Sequence, residues 1–295
     1  MKAAVLGATG FVGRALVLAL AARGDNVAAV SRSARTPEEG RVRAVSADVT
    51  DADAVRGALE GVDVVYYLVH SLGSANYAEV DRRAATIVAE EAGRAGVSQI
   101  VFLGGLGDEQ SNLSTHLRSR AETAAALSSG SVPVTTLRAA VVVGRGSAGF
   151  ETIVALVDRQ PLMIAPKWIS VPTQPIALVD VVGYLVGVGG KQEALGESFD
   201  LGGPEVLTYR EMIERVARLR GHDRRIVEVP VLTPRLSSYW LHLVTPVRAG
   251  VARPLVEGLR TPTVVEDDRI RQLLPRELTT FGVAAYQALA SEDDA

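Results

Sequence analysis

The sequence predicts an α/β fold in which a doubly wound parallel sheet is covered by helices on both faces. Short apolar runs alternate with segments of helical periodicity along the first half of the 295-residue chain. A glycine-rich turn joins the first apolar run to the first helix. The hydrophobic content of 47% is enough for a sizeable core. No apolar run approaches the ~20 residues that a membrane span needs.

The first strand and the turn after it are the most informative stretch. Lys2–Leu6 is a short apolar run, residues 7–13 read Gly-Ala-Thr-Gly-Phe-Val-Gly, and Ala15–Ala22 has helical periodicity. In such a unit the glycines permit a tight turn, a close approach to a pyrophosphate and close helix–strand packing, while the helix N-terminus binds the anion. The alternative is an ordinary turn whose glycines only end the two elements. The predicted dinucleotide-binding residues are Gly7, Thr9, Gly10, Phe11, Val12 and Gly13.

The following segments continue the alternation of strands and helices. Strands are predicted at Asn26–Val30, Val42–Ser46, Asp63–Leu68, Gln99–Leu103 and Val134–Val143, and helices at Asp51–Leu59, Tyr77–Ala95 and Ser119–Leu127.

Beyond Gly144 the pattern loosens. Helices are predicted at Phe150–Val157, at Asp180–Val186 behind an Asp180 cap, and from Thr208 to about Leu219, with strands at Leu162–Ile164, Gln174–Ile176 and Phe199–Leu201. We predict a dinucleotide-binding domain over residues 1–160 and a smaller C-terminal substrate lobe over residues 161–295, packed on the mouth of the sheet.

The end of the second strand indicates which dinucleotide binds. NAD binders place an acidic residue there for the ribose hydroxyls, whereas NADP binders place an Arg that meets the 2′-phosphate. Here Ser31 and Arg32 end the strand, Arg35 follows, and no acid lies between Asp25 and Glu38. We therefore predict NADP as the cofactor, with NAD as the alternative. Two solvated arginines in a surface loop would give the same pattern.

Further site residues are expected at the carboxyl ends of the strands, where parallel sheets bind ligands. Asp48 is placed either to face the adenine or to cap the loop that it begins. His70 and His116 both fall at strand ends, and imidazole suits proton transfer near neutral pH. A structural or surface role fits both histidines equally well. The cofactor-binding positions predicted at these ends are Asp48, Val49, Leu68, Val69, His70 and Gly104.

Composition excludes several classes of function. A net charge of −3 argues against a general nucleic-acid binder, and the absence of cysteine excludes thiolate nucleophiles and thiolate metal sites. The four histidines show no ligand spacing, so no metal is expected. The chain starts directly with a strand, which predicts no signal peptide and a cytoplasmic protein whose partner is a small molecule.

These residues resemble the short-chain dehydrogenase/reductase superfamily in its atypical, NmrA-like, NAD(P)H-binding branch. The resemblance rests on residues 7–13, 67–71, 174–180 and 199–204 and covers the chain to about residue 220. It implies a Rossmann fold, an NAD(P) cofactor and, in catalytic members, oxidoreductase activity.

The sequence departs from this superfamily where catalytic members carry a Ser and a Tyr-x-x-x-Lys. In those members the Tyr is the general acid/base and the Lys holds the nicotinamide ribose. This chain has Gly104 at the Ser position and His116 and Arg120 at the spacing of the Tyr–Lys pair. Arg cannot give up its proton, but it can hold a ribose. We therefore expect His116, Arg120 and His70 as catalytic candidates, with Arg120 also binding the cofactor.

Three functions remain open. The first is an NADP(H)-dependent oxidoreductase for a small, apolar carbonyl, enone or quinone-like substrate, and the second is an NADP(H)-binding sensor or scaffold without turnover. Sugar-nucleotide epimerisation or dehydration is weaker, because it relies on the absent Tyr. The aromatic stretch Tyr239–Leu243 fits a substrate pocket, simple core or a contact between two copies in a homodimer.

Overall fold

The computed structural model describes residues 1–33, 40–71, 76–107, 115–159, 162–222, 225–229 and 262–293. Its strands are β1 (Lys2–Leu6), β2 (Asn26–Ser31), β3 (Val42–Ser46), β4 (Val64–Tyr67), β5 (Gln99–Gly105), β6 (Val134–Ala139), β7 (Val142–Val143), β8 (Leu162–Pro166), β9 (Pro172–Thr173), β10 (Ile176–Ala177), β11 (Ser198–Leu201), β12 (Leu207–Thr208) and β13 (Arg225–Val229). Its α-helices are α1 (Phe11–Ala22), α2 (Ala52–Ala58), α3 (Tyr77–Arg94), α4 (Thr115–Ser128), α5 (Ala148–Arg159), α6 (Leu178–Val188), α7 (Tyr209–Leu219), α8 (Arg269–Leu273) and α9 (Phe281–Asp293).

Seven strands form one parallel sheet in the order β3-β2-β1-β4-β5-β6-β11. Leu6 of β1 pairs with Val30 of β2 on one side and with Tyr67 of β4 on the other. The strand order reverses at β1, and ligands bind at such a reversal in doubly wound sheets. The predicted fold class is confirmed.

Both faces of the sheet are buried, as a parallel sheet requires. Val5 packs in one apolar layer with Leu16 of α1 and Leu185 of α6. Leu6, the next residue along β1, points to the opposite layer and packs with Val88 of α3. Successive side chains of a strand alternate between faces, so each short apolar run supplies both layers.

One strand prediction changes in the structure, and another joins the main sheet. The run Val134–Val143 is not one strand: β6 ends at Ala139, and β7 leaves the main sheet to pair with β10. The predicted strand at Phe199–Leu201 is confirmed as β11, which pairs in parallel with β6, so the chain beyond residue 160 returns to the main sheet.

The predicted Asp180 cap is wrong. Helix α6 begins at Leu178 with Ala177 as its N-cap, which places Asp180 inside the first turn at 2% exposure. Its carboxylate accepts a hydrogen bond from the Thr279 backbone N–H at 2.8 Å and lies 3.6 Å from Arg276. Asp180 therefore ties the C-terminal segment to α6 instead of starting the helix.

Within these described ranges, no helix has the length and apolarity required to cross a membrane.

Candidate functional site

The turn between β1 and α1 is closely packed against its neighbours. Gly7 has a φ of +91°, and a Cβ there would lie 3.0 Å from the carbonyl oxygen of Leu68. A Cβ on Gly13 would lie 3.0 Å from the Ala8 Cα and closer still to the Gly7 carbonyl oxygen. Only glycine fits at both positions, because the neighbouring atoms are backbone.

Helix α1 offers its N-terminal amides to a ligand. The helix starts at Phe11, directly after Gly10, and no side chain caps it; its first turn holds no acidic residue. The first amides of a helix have no acceptor within the helix, and they carry its positive dipole end. The Phe11, Val12 and Gly13 amides are therefore placed to attract an anion. The Phe11 ring lies beside Gly144, and a Cβ added to Gly144 would be 3.1 Å from that ring.

A cavity of about 820 Å³ opens at the carboxyl ends of β1, β2, β3 and β4. Many of the predicted cofactor residues line it together: Gly7, Thr9, Gly10, Ser31, Arg32, Asp48, Val49, Leu68, Val69 and His70. The other described lining residues were not among the predicted cofactor-binding positions: Val30, Ala47, Thr50, Ser71, Val80, Arg83 and Ala84. Of these, Ser71 belongs to the stretch 67–71 that the resemblance places along the cofactor. Phe11, Val12, Gly13, Gly104 and Arg120 are not part of this lining, and Arg35 lies outside the described residues.

The end of β2 places polar groups in the cavity wall. The Ser31 hydroxyl is buried and has no hydrogen-bond partner within the described structure, and the neighbouring Arg32 side chain is exposed. Asp48 accepts hydrogen bonds from the Thr50 backbone N–H at 2.9 Å and the Thr50 hydroxyl at 2.7 Å. These bonds lower the pKa of the Asp48 carboxyl. Asp48 therefore caps its loop while also lining the cavity.

The residues present fit a dinucleotide. The glycine turn approaches a ligand without side chains, the α1 amides suit a pyrophosphate, and the Ser31 hydroxyl is a buried polar group still to be satisfied. A cavity of this size and position is typical of a nucleotide cofactor at the switch point of a parallel sheet.

His70 is held by a buried carboxylate. Its Nδ1 lies 2.7 Å from Oδ2 of Asp81, which is fully buried, and the Ser71 backbone N–H donates to Asp81 Oδ1 at 3.0 Å. Burial lowers the pKa of His70, although the hydrogen bond to Asp81 acts in the opposite direction. Burial alone would raise the pKa of Asp81, but hydrogen bonds from His70 and Ser71 outweigh it and lower the pKa. The arrangement gives a neutral imidazole with its proton on Nδ1, beside an ionised carboxylate.

Arg120 lies deep below the strand ends. It is 8% exposed, donates to the Val69 carbonyl at 3.2 Å and to the Leu103 carbonyl, and its guanidinium carbon lies 4.6 Å from the centre of the Phe102 ring. Burial lowers the pKa of Arg120 to about 10, so it stays charged at neutral pH. With Gly104 it lines a separate cavity of about 190 Å³.

Of the predicted His116–Arg120 pair, the structure describes the side chain of Arg120 only. Both residues belong to α4, one helical turn apart, but the His116 side chain lies outside the described structure. Among the described residues, no cluster of His, Asp or Glu has the arrangement of a metal site.

Sequence reasoning missed Asp81 and Arg83, which lie in the first half of α3. Asp81 had a detectable signal, since it is spaced three, four and seven residues before Ala84, Ala85 and Val88 on the buried face of the helix. A carboxylate on an apolar helix face needs a partner, and His70 is the partner here. Arg83 had no such signal, because arginines on exposed helix faces are common.

The His70–Asp81 pair predicts a pH dependence of stability. The folded-state pKa of His70 lies below its ordinary value of about 6.5, so at lower pH the unfolded chain binds a proton that the folded chain refuses. This part of the stability is therefore lost as pH falls below about 6.5. The contribution of Asp81 is lost only at lower pH, below about 3.9, because its own folded pKa is depressed.

Urea unfolding at several pH values between about 7 and 5 measures the part of the free energy of unfolding that depends on His70. His70→Gln should reduce the loss of stability over this interval. His222→Gln, at a partly exposed histidine after α7, is the matched control and should behave like the parent. An unchanged pH dependence in His70→Gln would contradict the prediction.

The fold and cavity define a protein of the NAD(P)-binding Rossmann class. Residues 7–148 match the family model described as NAD(P)H-binding. This match covers just under half of the chain and agrees with the NAD(P)-binding class of fold predicted from the glycine turn.

Two curated relatives extend beyond this domain. The chain is 25% identical over 309 residues to NADH dehydrogenase [ubiquinone] 1 alpha subcomplex subunit 9, mitochondrial, of Arabidopsis thaliana, covering 95% of this chain and 76% of the relative. It is 27% identical over 272 residues to divinyl chlorophyllide a 8-vinyl-reductase, chloroplastic, of Oryza sativa subsp. indica, covering 84% of this chain and 65% of the relative. The chain thus spans just under two thirds of the length of the reductase.

Solved structures show the same fold at low identity. An epimerase from Methanothermobacter thermautotrophicus superposes with a TM-score of 0.77 at 18% identity, covering 99% of this chain and 92% of that one. The Bordetella bronchiseptica enzyme WbmG in complex with NAD superposes with a TM-score of 0.73 at 15% identity, covering 100% and 94%. At these identities the likeness concerns the fold alone.

Proposed function

We propose that this chain is an NADP(H)-dependent oxidoreductase of the atypical, NmrA-like branch, acting on a small, apolar carbonyl, enone or quinone-like substrate. The observation that carries the proposal is the β2 end of the 820 Å³ cavity, where Ser31 and Arg32 stand in place of the acidic residue of NAD binders. The similarity to a vinyl-reductase and to a subunit of NADH dehydrogenase supports chemistry on reduced nicotinamides.

Different residues of the chain bind different parts of the cofactor. The α1 amides of Phe11, Val12 and Gly13 hold the pyrophosphate, and the exposed guanidinium of Arg32 pairs with the 2′-phosphate through charge-assisted hydrogen bonds. When bound, the cofactor supplies or accepts the hydride.

The proton for the substrate is assigned to His116, on the first turn of α4. His70 is a second candidate for proton transfer and a fixed part of the cavity wall. Because its Nδ1 proton is committed to Asp81, the neutral imidazole would accept a proton at Nε2, as the oxidation direction requires.

A second candidate function is an NADP(H)-binding sensor or scaffold. Gly104 replaces the serine of catalytic members, and Arg120 directs N–H groups at the Val69 and Leu103 carbonyls instead of the larger cavity. Epimerisation or dehydration is weaker, because the Tyr on which it relies is absent. A cytoplasmic location, a homodimer and a division of the chain at residue 160 remain predictions.

Turnover with a panel of carbonyls, enones and quinones tests the proposal. We expect at least one substrate to oxidise NADPH, with NADPH binding at least about ten-fold more tightly than NADH because a charged hydrogen bond to the extra phosphate contributes about 1.5–3 kcal/mol. Tight NADPH binding without turnover across the panel would favour the sensor. Equal affinity for both cofactors, measured by calorimetry, would contradict the NADP assignment.

A further inference from the structure

Arg83 of α3 is a cavity residue to which neither the sequence nor the comparisons assign a role. Val80, Arg83 and Ala84 all line the 820 Å³ cavity. Their spacing of three and four residues places them on one face of the helix. Arg82, the next residue back, is also exposed but does not belong to the lining. The helix therefore turns one arginine of this adjacent pair towards the cavity and the other away from it.

The guanidinium of Arg83 is available to a ligand. Within the described ranges it makes no hydrogen bond or ion pair, and its side chain is exposed. The arginine at the other end of α3 behaves differently, since Arg94 pairs with Glu91 of the same helix, and Arg56 of α2 joins that pair at 2.9 Å. An unpaired arginine in a cavity wall is free to bind an anion without first breaking an internal bond.

The charges of the lining favour an extra phosphate. Among the lining residues that the structure describes, the cations are Arg32 and Arg83 and the one acid is Asp48, whose Oδ1 accepts both Thr50 hydrogen bonds. The pyrophosphate of a dinucleotide already has its own site at the N-terminus of α1. A dinucleotide with only these two phosphates would therefore offer no anionic group to Arg32 and Arg83.

The Ser31 hydroxyl provides an independent observation at the same place. Its residue is 9% exposed, and its oxygen has no hydrogen-bond partner in the described structure. A buried hydroxyl without a partner is costly unless a ligand or water satisfies it. It stands next to Arg32 at the end of β2, where the adenosine ribose of a dinucleotide lies in this fold.

We propose that Arg83 is the second cation of a 2′-phosphate clamp, in which α3 supplies Arg83 and the end of β2 supplies Arg32 and Ser31. This inference rests on the proposed NADP function and adds to it a residue from a different element. Two arginines around one phosphate provide several charge-assisted hydrogen bonds, whereas a 2′-hydroxyl would leave both guanidinium groups unpaired.

Calorimetric titration with two fragments of the cofactor tests the clamp. Adenosine 2′,5′-bisphosphate carries the extra phosphate, and adenosine 5′-monophosphate is the same fragment without it. Arg83→Ala should weaken binding of the bisphosphate about ten-fold and leave binding of the monophosphate unchanged. Arg83→Lys keeps the charge but not the fork of donors and should lie between the parent and Arg83→Ala. Arg82→Ala is the matched control and should bind both fragments as the parent does.

The outcomes separate this inference from the proposed function. If the parent prefers the bisphosphate and Arg32→Ala removes that preference while Arg83→Ala does not, NADP binding stands and the clamp is wrong. If Arg83→Ala weakens both fragments equally, Arg83 contacts the adenine or its 5′-phosphate, which also overturns the clamp. If the parent binds the two fragments equally well, the NADP assignment itself fails.

Discussion

Gly13→Ala is expected to lower NADPH affinity by more than ten-fold and to destabilise the fold. The added Cβ would lie 3.0 Å from the Ala8 Cα and still closer to the Gly7 carbonyl oxygen, and neither atom belongs to a flexible side chain. Helix α1 must therefore move away from the turn, which displaces the Phe11 and Val12 amides from the anion site. Overpacking of this kind typically costs about 1–3 kcal/mol of folding free energy.

The matched control is Gly57→Ala. Gly57 lies inside α2, and a Cβ there meets no atom within 4 Å. Alanine is the better helix former by up to about 1 kcal/mol, so this variant should be as stable as the parent or slightly more so. Urea unfolding without cofactor measures the change in stability, and calorimetry with NADPH measures the change in cofactor affinity. A Gly13→Ala protein that binds NADPH like the parent would show that the turn tolerates displacement.

Where local chemistry decides the structure, the sequence predicted it well. The predicted start of the helix after Thr208 is confirmed, because the Thr208 side chain and Glu211 form a capping box at the first turn of α7. Asp51 likewise caps α2 by accepting hydrogen bonds from the Asp53 and Ala54 amides. The glycine turn is local at Gly13, which packs against Gly7 and Ala8 of the same strand–turn–helix unit, whereas Gly7 also approaches the carbonyl of Leu68 after β4.

Where distant parts of the chain decide the structure, the sequence was less informative. Asp180 looks like a helix cap because caps are read from neighbours in sequence, yet its partners Arg276 and Thr279 lie almost a hundred residues away. The position of β11 beside β6 depends on a return of the chain that no local pattern records. Asp81 belongs to the same group: its helix was predicted, but its contact with His70 requires the packing of α3 against the end of β4.

Arg120 shows the same limit within the site itself. The resemblance placed it at the position of the lysine that holds the nicotinamide ribose. The structure instead directs its N–H groups at the Val69 and Leu103 carbonyls and stacks it on Phe102. In this arrangement a buried cation holds together the ends of β4 and β5, on which the cavity wall depends. Loss of Arg120 should therefore affect folding before it affects binding.

Arg120→Met is expected to lower the free energy of unfolding by about 2–4 kcal/mol, because two carbonyl groups lose hydrogen bonds from a charged donor. Methionine keeps the apolar contact with Phe102, so the loss reports mainly on these bonds. Removal of a buried charge recovers part of its desolvation penalty, which limits the effect. Arg118→Met is the control, since Arg118 is exposed on the same helix and should have little influence on stability. Urea unfolding without cofactor gives the stability, and calorimetry gives NADPH affinity. Arg120→Met could instead be as stable as Arg118→Met but bind NADPH much more weakly. The guanidinium would then contact the ribose as the resemblance implies, and the prediction of a structural role for Arg120 would be wrong.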